Sequence, residues 1–400
     1  MQNFDFDSVP ARLGTGCVKW DAPAPVPVEG DVIPMWVADM DWKVAPCITK
    51  ALEQRIQHGV FGYSIPPREY FECVRNWFRD RHGWAPETGW MQYTTGVVPA
   101  ISAVIKALTS PGDKVLIQTP VYNCFFSSIR NNACAIEASP LLVESLTPTT
   151  FTYTMDLDDL ESRCADPAVK VMLLCNPHNP AGRVWTQKEL EAVAGICAEN
   201  GVTVVSDEIH CDIVAPGVEY TPFGTVARGE NWVVLCSASK AFNIAGLQMA
   251  NIISPSEELR AKIDRAVNDN EICDVNCLGW VASMAAFSPE GAAWLDGMNE
   301  HVAENYALLC RRFAEELPLL GVASLEGTYL AWVDISPLGI TSQEVENSLL
   351  LNEKVWINAG KMYGCDDFIR INLAAPLSLV EEGLERIIKG LKRIQNEKSA

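Results

Sequence analysis

Two spacings of apolar residues alternate along most of the chain. Four short, continuous, β-branched runs stand at Lys114–Gln118, Val171–Cys175, Val202–Ser206 and Trp232–Cys236. Continuity without alternation predicts strands covered on both faces. Between and around them apolar residues recur every three or four positions, as on an amphipathic helix. Val97, Ile101, Val104, Ile105 and Leu108 form one such face, with Pro99 in the first turn. Leu190, Val193, Ala194 and Cys197 form another. A capping box at Thr186–Glu189 opens that helix, and Gly201 stands where a C′ glycine ends it. Residues 45–58 and 67–82 also predict helices, separated by the glycine-punctuated loop Gly59–Ser64. Strand, helix and strand in this order require parallel crossovers. The predicted class is α/β: a mostly parallel sheet covered by helices.

The pattern changes after about residue 290. Glu326–Asp334 predicts a strand with an exposed face, and Phe368–Leu373 alternates apolar and polar as a half-buried strand does. A capping box at Ser378–Glu381 then precedes a helix carrying Leu384, Ile387, Ile388 and Leu391. These elements predict a smaller α+β domain with one solvated sheet face. At the other end, residues 1–34 include the Pro-rich Ala22–Pro27 and predict an extended, unpacked arm. The expected organisation is an arm and part of the small domain at 1–45, a large domain at 46–289 and a small domain at 290–400.

The buried runs deliver chemistry where they end. Asn176–Gly182 follows the second run, Asp207-Glu208-Ile209-His210 the third, and Ser237-Ala238-Ser239-Lys240 the fourth. Parallel strands bring their C-terminal ends to one edge, where open α/β sheets bind ligands. An amide, a carboxylate, an imidazole and an amine therefore converge. Lys240 beside small hydroxyl residues is suited to hold a carbonyl cofactor as a Schiff base. Thr95-Gly96-Val97 opens a helix, whose free N–H groups can cradle a phosphate. Tyr122 stands at another strand exit, within reach of a planar ring. Trp36-Val37-Ala38-Asp39-Met40-Asp41-Trp42 mixes tryptophans with acids.

Composition narrows the partners. A formal net charge of −20 argues against nucleic acid and anionic membrane surfaces. The 14 cysteines lack paired short spacings, which predicts free thiols in a reducing compartment. The acidic N-terminus carries no signal-peptide core, and no uncharged run approaches a membrane span. A cytoplasmic protein is expected.

Taken together, these residues resemble the pyridoxal-phosphate (PLP) enzymes of fold type I, the aspartate-aminotransferase superfamily. The resemblance runs nearly end to end. Within it, Trp36-Val37-Ala38-Asp39-Met40, Asp207-Glu208-Ile209-His210 and Ser239-Lys240 with Phe242–Leu247 look most like the MalY/PatB-type C–S lyases, which act as cystathionine β-lyases. The resemblance implies roles. Lys240 would carry PLP, with Lys240 and Tyr122 the catalytic pair. Asp207 would face the pyridine nitrogen and Asn179 the phenolic oxygen, while Tyr122 stacks on the ring and His210 lies beside it. Gly96, Val97 and Ser237 would bind the phosphate. Tyr63 would reach it from the partner subunit of a homodimer with shared sites. Arg370 would pair with the substrate carboxylate, with Trp36 and Asp39 on the substrate side. No metal is expected there. Two positions depart from the aminotransferase pattern: His210 replaces a tyrosine, and Gln248 a phosphate-binding arginine.

The implied activity is α,β-elimination of cystathionine or a related S-substituted L-cysteine to a thiol, pyruvate and ammonia. An aminotransferase using the same residues is the nearest alternative. A regulatory protein that holds a partner on this fold is another, against which the intact set Lys240, Asp207, Asn179 and Arg370 speaks.

Overall fold

A computed structural model describes residues 4–269 and 274–399. Seven strands form the central sheet: β1 (Met91–Thr94), β2 (Lys114–Thr119), β3 (Ala135–Pro140), β4 (Val169–Cys175), β5 (Thr203–Asp207), β6 (Trp232–Cys236) and β7 (Ala250–Ile253). Their spatial order is β1-β7-β6-β5-β4-β2-β3. β7 is antiparallel to both its neighbours, and the other pairings are parallel. The α/β expectation holds.

Successive residues of the same strand enter different cores. Val171 and Leu173 of β4 pack with Val97, Ile101 and Val104 of the helix Val97–Leu108. Met172 and Leu174 join Leu190, Val193 and Cys197 of the helix Gln187–Glu199. Both faces are covered, which is why these strands read as unbroken apolar runs. The Thr186/Glu189 capping box forms as expected, and Gly201 takes a positive φ of 68°. The helices Pro46–His58 and Arg68–His82 end at Gly59 and Gly83, both left-handed.

A second sheet of six strands contains Leu330–Asp334 and Phe368–Asn372, paired antiparallel so that Trp332 faces Arg370. Two of its strands, Leu142–Thr147 and Thr150–Thr154, come from within the stretch that supplies the central sheet. The expected solvated face is absent from the C-terminal strands: Phe368–Asn372 is buried throughout and Leu330–Val333 likewise. Arg370 and Asn372 look like surface residues in the pattern. They are instead buried because they bond the backbone of residues 36–39. The last helix, Leu377–Ser399, starts one residue before Ser378, so Ser378 lies inside it rather than capping it.

The N-terminal arm also departs from expectation. Ala22–Pro27 is irregular, but the residues before it pack closely. Phe6 is buried against Trp42, Trp294 and His301. Lys19 is buried with its ammonium 2.6 Å from Asp41. Arg12 pairs with Asp39 and Asp41, each at 2.7 Å. Two cations between two carboxylates tie the arm to the segment that precedes Trp42, a constraint no hydropathy pattern reveals.

Candidate active site

The C-terminal ends of β4, β5 and β6 lie side by side, with Cys175 in register with Asp207 and Asp207 with Leu235. A cavity of about 540 Å³ opens at this edge. It gathers Trp36, Gly96, Val97, Tyr122, Asn179, Asp207, His210, Lys240 and Arg370. Nine of the residues proposed for the site from sequence thus share one space.

The Lys240 amine donates to the Ala38 carbonyl at 2.6 Å. Burial lowers its pKa to about 8, helped by Arg370 and opposed by Asp39 and Asp207. An amine near 8 is a fraction neutral at physiological pH, as a nucleophile must be. Asp207 moves the other way. Burial raises its carboxyl to about 7 against the Ile209 N–H, which donates to Oδ1 at 3.1 Å, and the charge of Lys240. Burial also lowers His210 to about 3, with Lys240 and Arg370 repelling its proton. His210 is therefore neutral, and its Nδ1 is buried without a partner among the described residues. The neighbouring Glu208 turns away from the cavity: Ser206, Tyr220 and the Phe223 N–H bond its carboxylate.

Arg370 is held from both sides. One Nη donates to Asn179 Oδ1 at 3.2 Å and the other to the Trp36 carbonyl at 2.8 Å. Its guanidinium lies 4.9 Å from the Tyr363 ring centroid. Its buried Nε has no partner among the described residues, so donor capacity remains for an anion. Because Asn179 accepts from Arg370, its amide N–H₂ is free to donate towards a ligand oxygen.

The segment Trp36–Met40 forms the front wall, and side chains hold every one of its carbonyls. Asn358 and Arg370 bond Trp36 O, and Asn372 bonds both Val37 O and Asp39 O. Lys240 and Tyr329 bond Ala38 O; Asn243 and Arg12 bond Met40 O. A strap without regular secondary structure is thereby fixed by the site itself.

Three proposed residues lie elsewhere. Ser237 spends its hydroxyl on Met249 O at 2.6 Å, and the serine that lines the cavity is Ser239. Asp39 faces Arg12 and Lys19 behind the strap. Tyr63 is 98% exposed on the loop after the helix Pro46–His58. The structure adds Thr95, Ser239, Gln248, Asn358 and Tyr363 to the lining. Thr95 and Ser239 adjoin residues already singled out. Asn358 comes from the short strand Asn358–Ala359, paired opposite Arg370, and Tyr363 from the 3-10 turn Gly360–Tyr363 that follows; neither carries a sequence signal.

The donor set fits PLP. At the start of the helix Val97–Leu108, Pro99 has no N–H, so Val97 and Val98 present the free N–H groups to an anion. Asp207 is a buried carboxylate in want of a cation, which a protonated ring nitrogen supplies. Tyr122 offers a ring face, and Lys240 an amine for the carbonyl.

Nearly the whole chain, not only its site, matches known proteins. A model of the family "aminotransferase class I and II" matches residues 31–387. The chain belongs to the aminotransferase class I and II family. Among curated members it is similar to the cystathionine β-lyase PatB of Bacillus subtilis (strain 168), at 38% identity over 96% of this chain and 98% of that protein. It is similar to the protein MalY of Escherichia coli (strain K12), at 35% identity over 98% and 100%. Among solved structures it resembles PLP-containing cystalysin from Treponema denticola, with a TM-score of 0.91 and 34% identity over 98% of this chain and 100% of that one. The family thus confirms the fold type I architecture and the PLP requirement that the resemblance implied.

Proposed function

We propose that this chain is a PLP-dependent carbon–sulfur β-lyase that cleaves cystathionine or a related S-substituted L-cysteine to a thiol, pyruvate and ammonia. The observation that carries the reading is the half-buried Lys240 amine, which shares one cavity with Asp207, Asn179 and Arg370. The full-length similarity to PatB, MalY and cystalysin directs it to sulfur substrates.

Lys240 would hold PLP, Asp207 its ring nitrogen, Asn179 its phenolic oxygen and Tyr122 its face. Thr95, Val97, Val98 and Ser239, which line the same cavity, would meet its phosphate. Bound PLP supplies an electron sink for the carbanion formed at the substrate Cα. Arg370 meets the α-carboxylate with the N–H donors left by Asn179 and Trp36, and so fixes which Cα bond faces Lys240. The Lys240 amine, lowered towards neutrality, takes the Cα proton; such a step is typically worth about 10²–10⁴-fold. The Ala38 carbonyl receives the resulting ammonium N–H, and Tyr329 holds that carbonyl in place.

The finer readings follow from the surface. Val60, Phe61, Tyr63 and Ile65 are exposed together, an apolar stretch that suits burial by a second copy. We assign the chain to a homodimer in which Tyr63 completes the partner's phosphate site. The described cysteines are all free, in keeping with a cytoplasmic enzyme of sulfur amino-acid metabolism. No described helix is long and apolar enough to cross a membrane.

A leaving-group series tests the reading. Pyruvate should form from L-cystathionine and S-methyl-L-cysteine and not from L-alanine, which lacks a β-leaving group. Amination of 2-oxo acids with no pyruvate from either sulfur substrate would instead establish the aminotransferase.

A further inference from the structure

A second cavity, of about 820 Å³, opens on the far side of the turn that follows β5. At its floor His82, Cys211 and Asp212 present one donor atom each, all within 4.8 Å of one another. His82 ends the helix Arg68–His82, and Cys211-Asp212 follows directly on His210 of the active-site wall. The site therefore joins two separate elements.

The set is well shielded. The side chains of His82 and Asp212 are 8% and 3% exposed, and Cys211 is 2% exposed. His82 Nε2 stands 2.8 Å from Asp212 Oδ1. Trp77 Nε1 donates to both oxygens of that carboxylate at 3.0 and 3.2 Å, orienting it from behind. An orienting donor behind a ligand is the usual support of a metal site. The cavity wall carries Asp80, Glu219, Asp296 and Glu300; Arg79 pairs with Asp80 and Arg81 with Asp296, which leaves two carboxylates in excess. This field draws cations to the floor and repels anions.

We propose that His82, Cys211 and Asp212 bind a divalent transition-metal ion of the zinc class. Imidazole, thiolate and carboxylate together match zinc among the common ions; magnesium and calcium prefer oxygen alone. Tetrahedral bonds of about 2.0–2.3 Å set neighbouring donors roughly 3.3–3.8 Å apart. The His82–Asp212 pair opens slightly and Cys211 closes in to reach that spacing. Cys211 releases its thiol proton to solvent on coordination, and a cavity water takes the fourth position. The ion clamps the end of the helix to the turn beside His210. It lies outside the PLP cavity and does not depend on the reaction assigned to it.

The test uses the PLP-loaded full chain, stripped with a chelator and dialysed against zinc chloride. The expected result is one zinc retained per chain, an unchanged PLP absorbance and a melting temperature that rises with zinc. Cys211→Ser and Asp212→Asn should each lose the zinc and the thermal shift. No retained zinc, or equal retention by both variants, overturns the proposal. Should the variants fold poorly, zinc K-edge absorption on the wild-type protein decides. One sulfur with nitrogen and oxygen neighbours supports the site, whereas an all-sulfur or sulfur-free shell refutes it.

Discussion

Asp207→Asn should stabilise the PLP-free protein and weaken its hold on PLP at the same time. Asp207 is 4% exposed, and the Ile209 N–H is the one hydrogen-bond donor to its carboxylate among the described residues. Burial raises its pKa from 3.8 to about 7. A folded pKa above the unfolded one means that the folded state binds more protons between the two. The carboxyl's contribution is then intact below pH 3.8 and is lost as pH rises through 7. Roughly three pKa units at about 1.36 kcal/mol each give a loss near 4 kcal/mol above pH 7. That figure is an upper bound on what asparagine recovers, because the amide also loses hydration. With PLP bound, the variant forfeits a hydrogen bond between charged groups worth about 1.5–3 kcal/mol, which raises the PLP Kd by roughly 10- to 150-fold. The assay is thermal melting by circular dichroism, with and without PLP, at pH 5 and pH 8. The PLP-free variant should melt above wild type at pH 8, by well under half that margin at pH 5, and gain less from added PLP. A PLP-free variant that melts at or below wild type at pH 8 refutes the account of Asp207 as a buried carboxylate awaiting a cation.

Three further outcomes follow from the geometry. Arg370→Lys keeps the charge and loses the fork that bonds Asn179 and Trp36, so KM should rise by roughly 10- to 100-fold, more than kcat falls; steady-state kinetics with cystathionine separates the two. The rate at which PLP-free protein takes up PLP, followed by absorbance, should rise with pH about a midpoint near 8, because the neutral Lys240 amine is the nucleophile. A midpoint near the ordinary lysine value would contradict that. If Tyr63 completes the partner's site, mixing Tyr63→Ala with Lys240→Ala and allowing subunits to exchange should restore about a quarter of wild-type activity, since half the dimers carry one intact site; no recovery excludes a shared site.

The central sheet was readable because both its faces are buried, so continuous runs such as Trp232–Cys236 announced themselves without any tertiary knowledge. The site was readable for a related reason: parallel order fixes which ends meet, and Asn179, Asp207 and Lys240 each lie just beyond one. What escaped depended on contacts far apart in sequence. Phe368–Leu373 alternates like a half-solvated strand, yet the strap at 36–40 consumes its polar side chains. Ser237 and Ser239 are equivalent by composition, and only the turn after β6 decides which hydroxyl faces the cavity. The arm looked unpacked because Arg12 and Lys19 signal exposure until Asp39 and Asp41 are brought beneath them. Tyr329, which anchors the Ala38 carbonyl, is an ordinary core aromatic in the sequence.

The most direct test of the lyase reading is product stoichiometry in one vessel. PLP-loaded protein is given L-cystathionine together with a 2-oxo acid acceptor, and homocysteine, pyruvate, ammonia and the aminated acceptor are measured over time. The account predicts homocysteine, pyruvate and ammonia in equal amounts, no aminated acceptor, and loss of all products in Lys240→Ala. Acceptor amination that matches substrate consumption, without pyruvate, would contradict it.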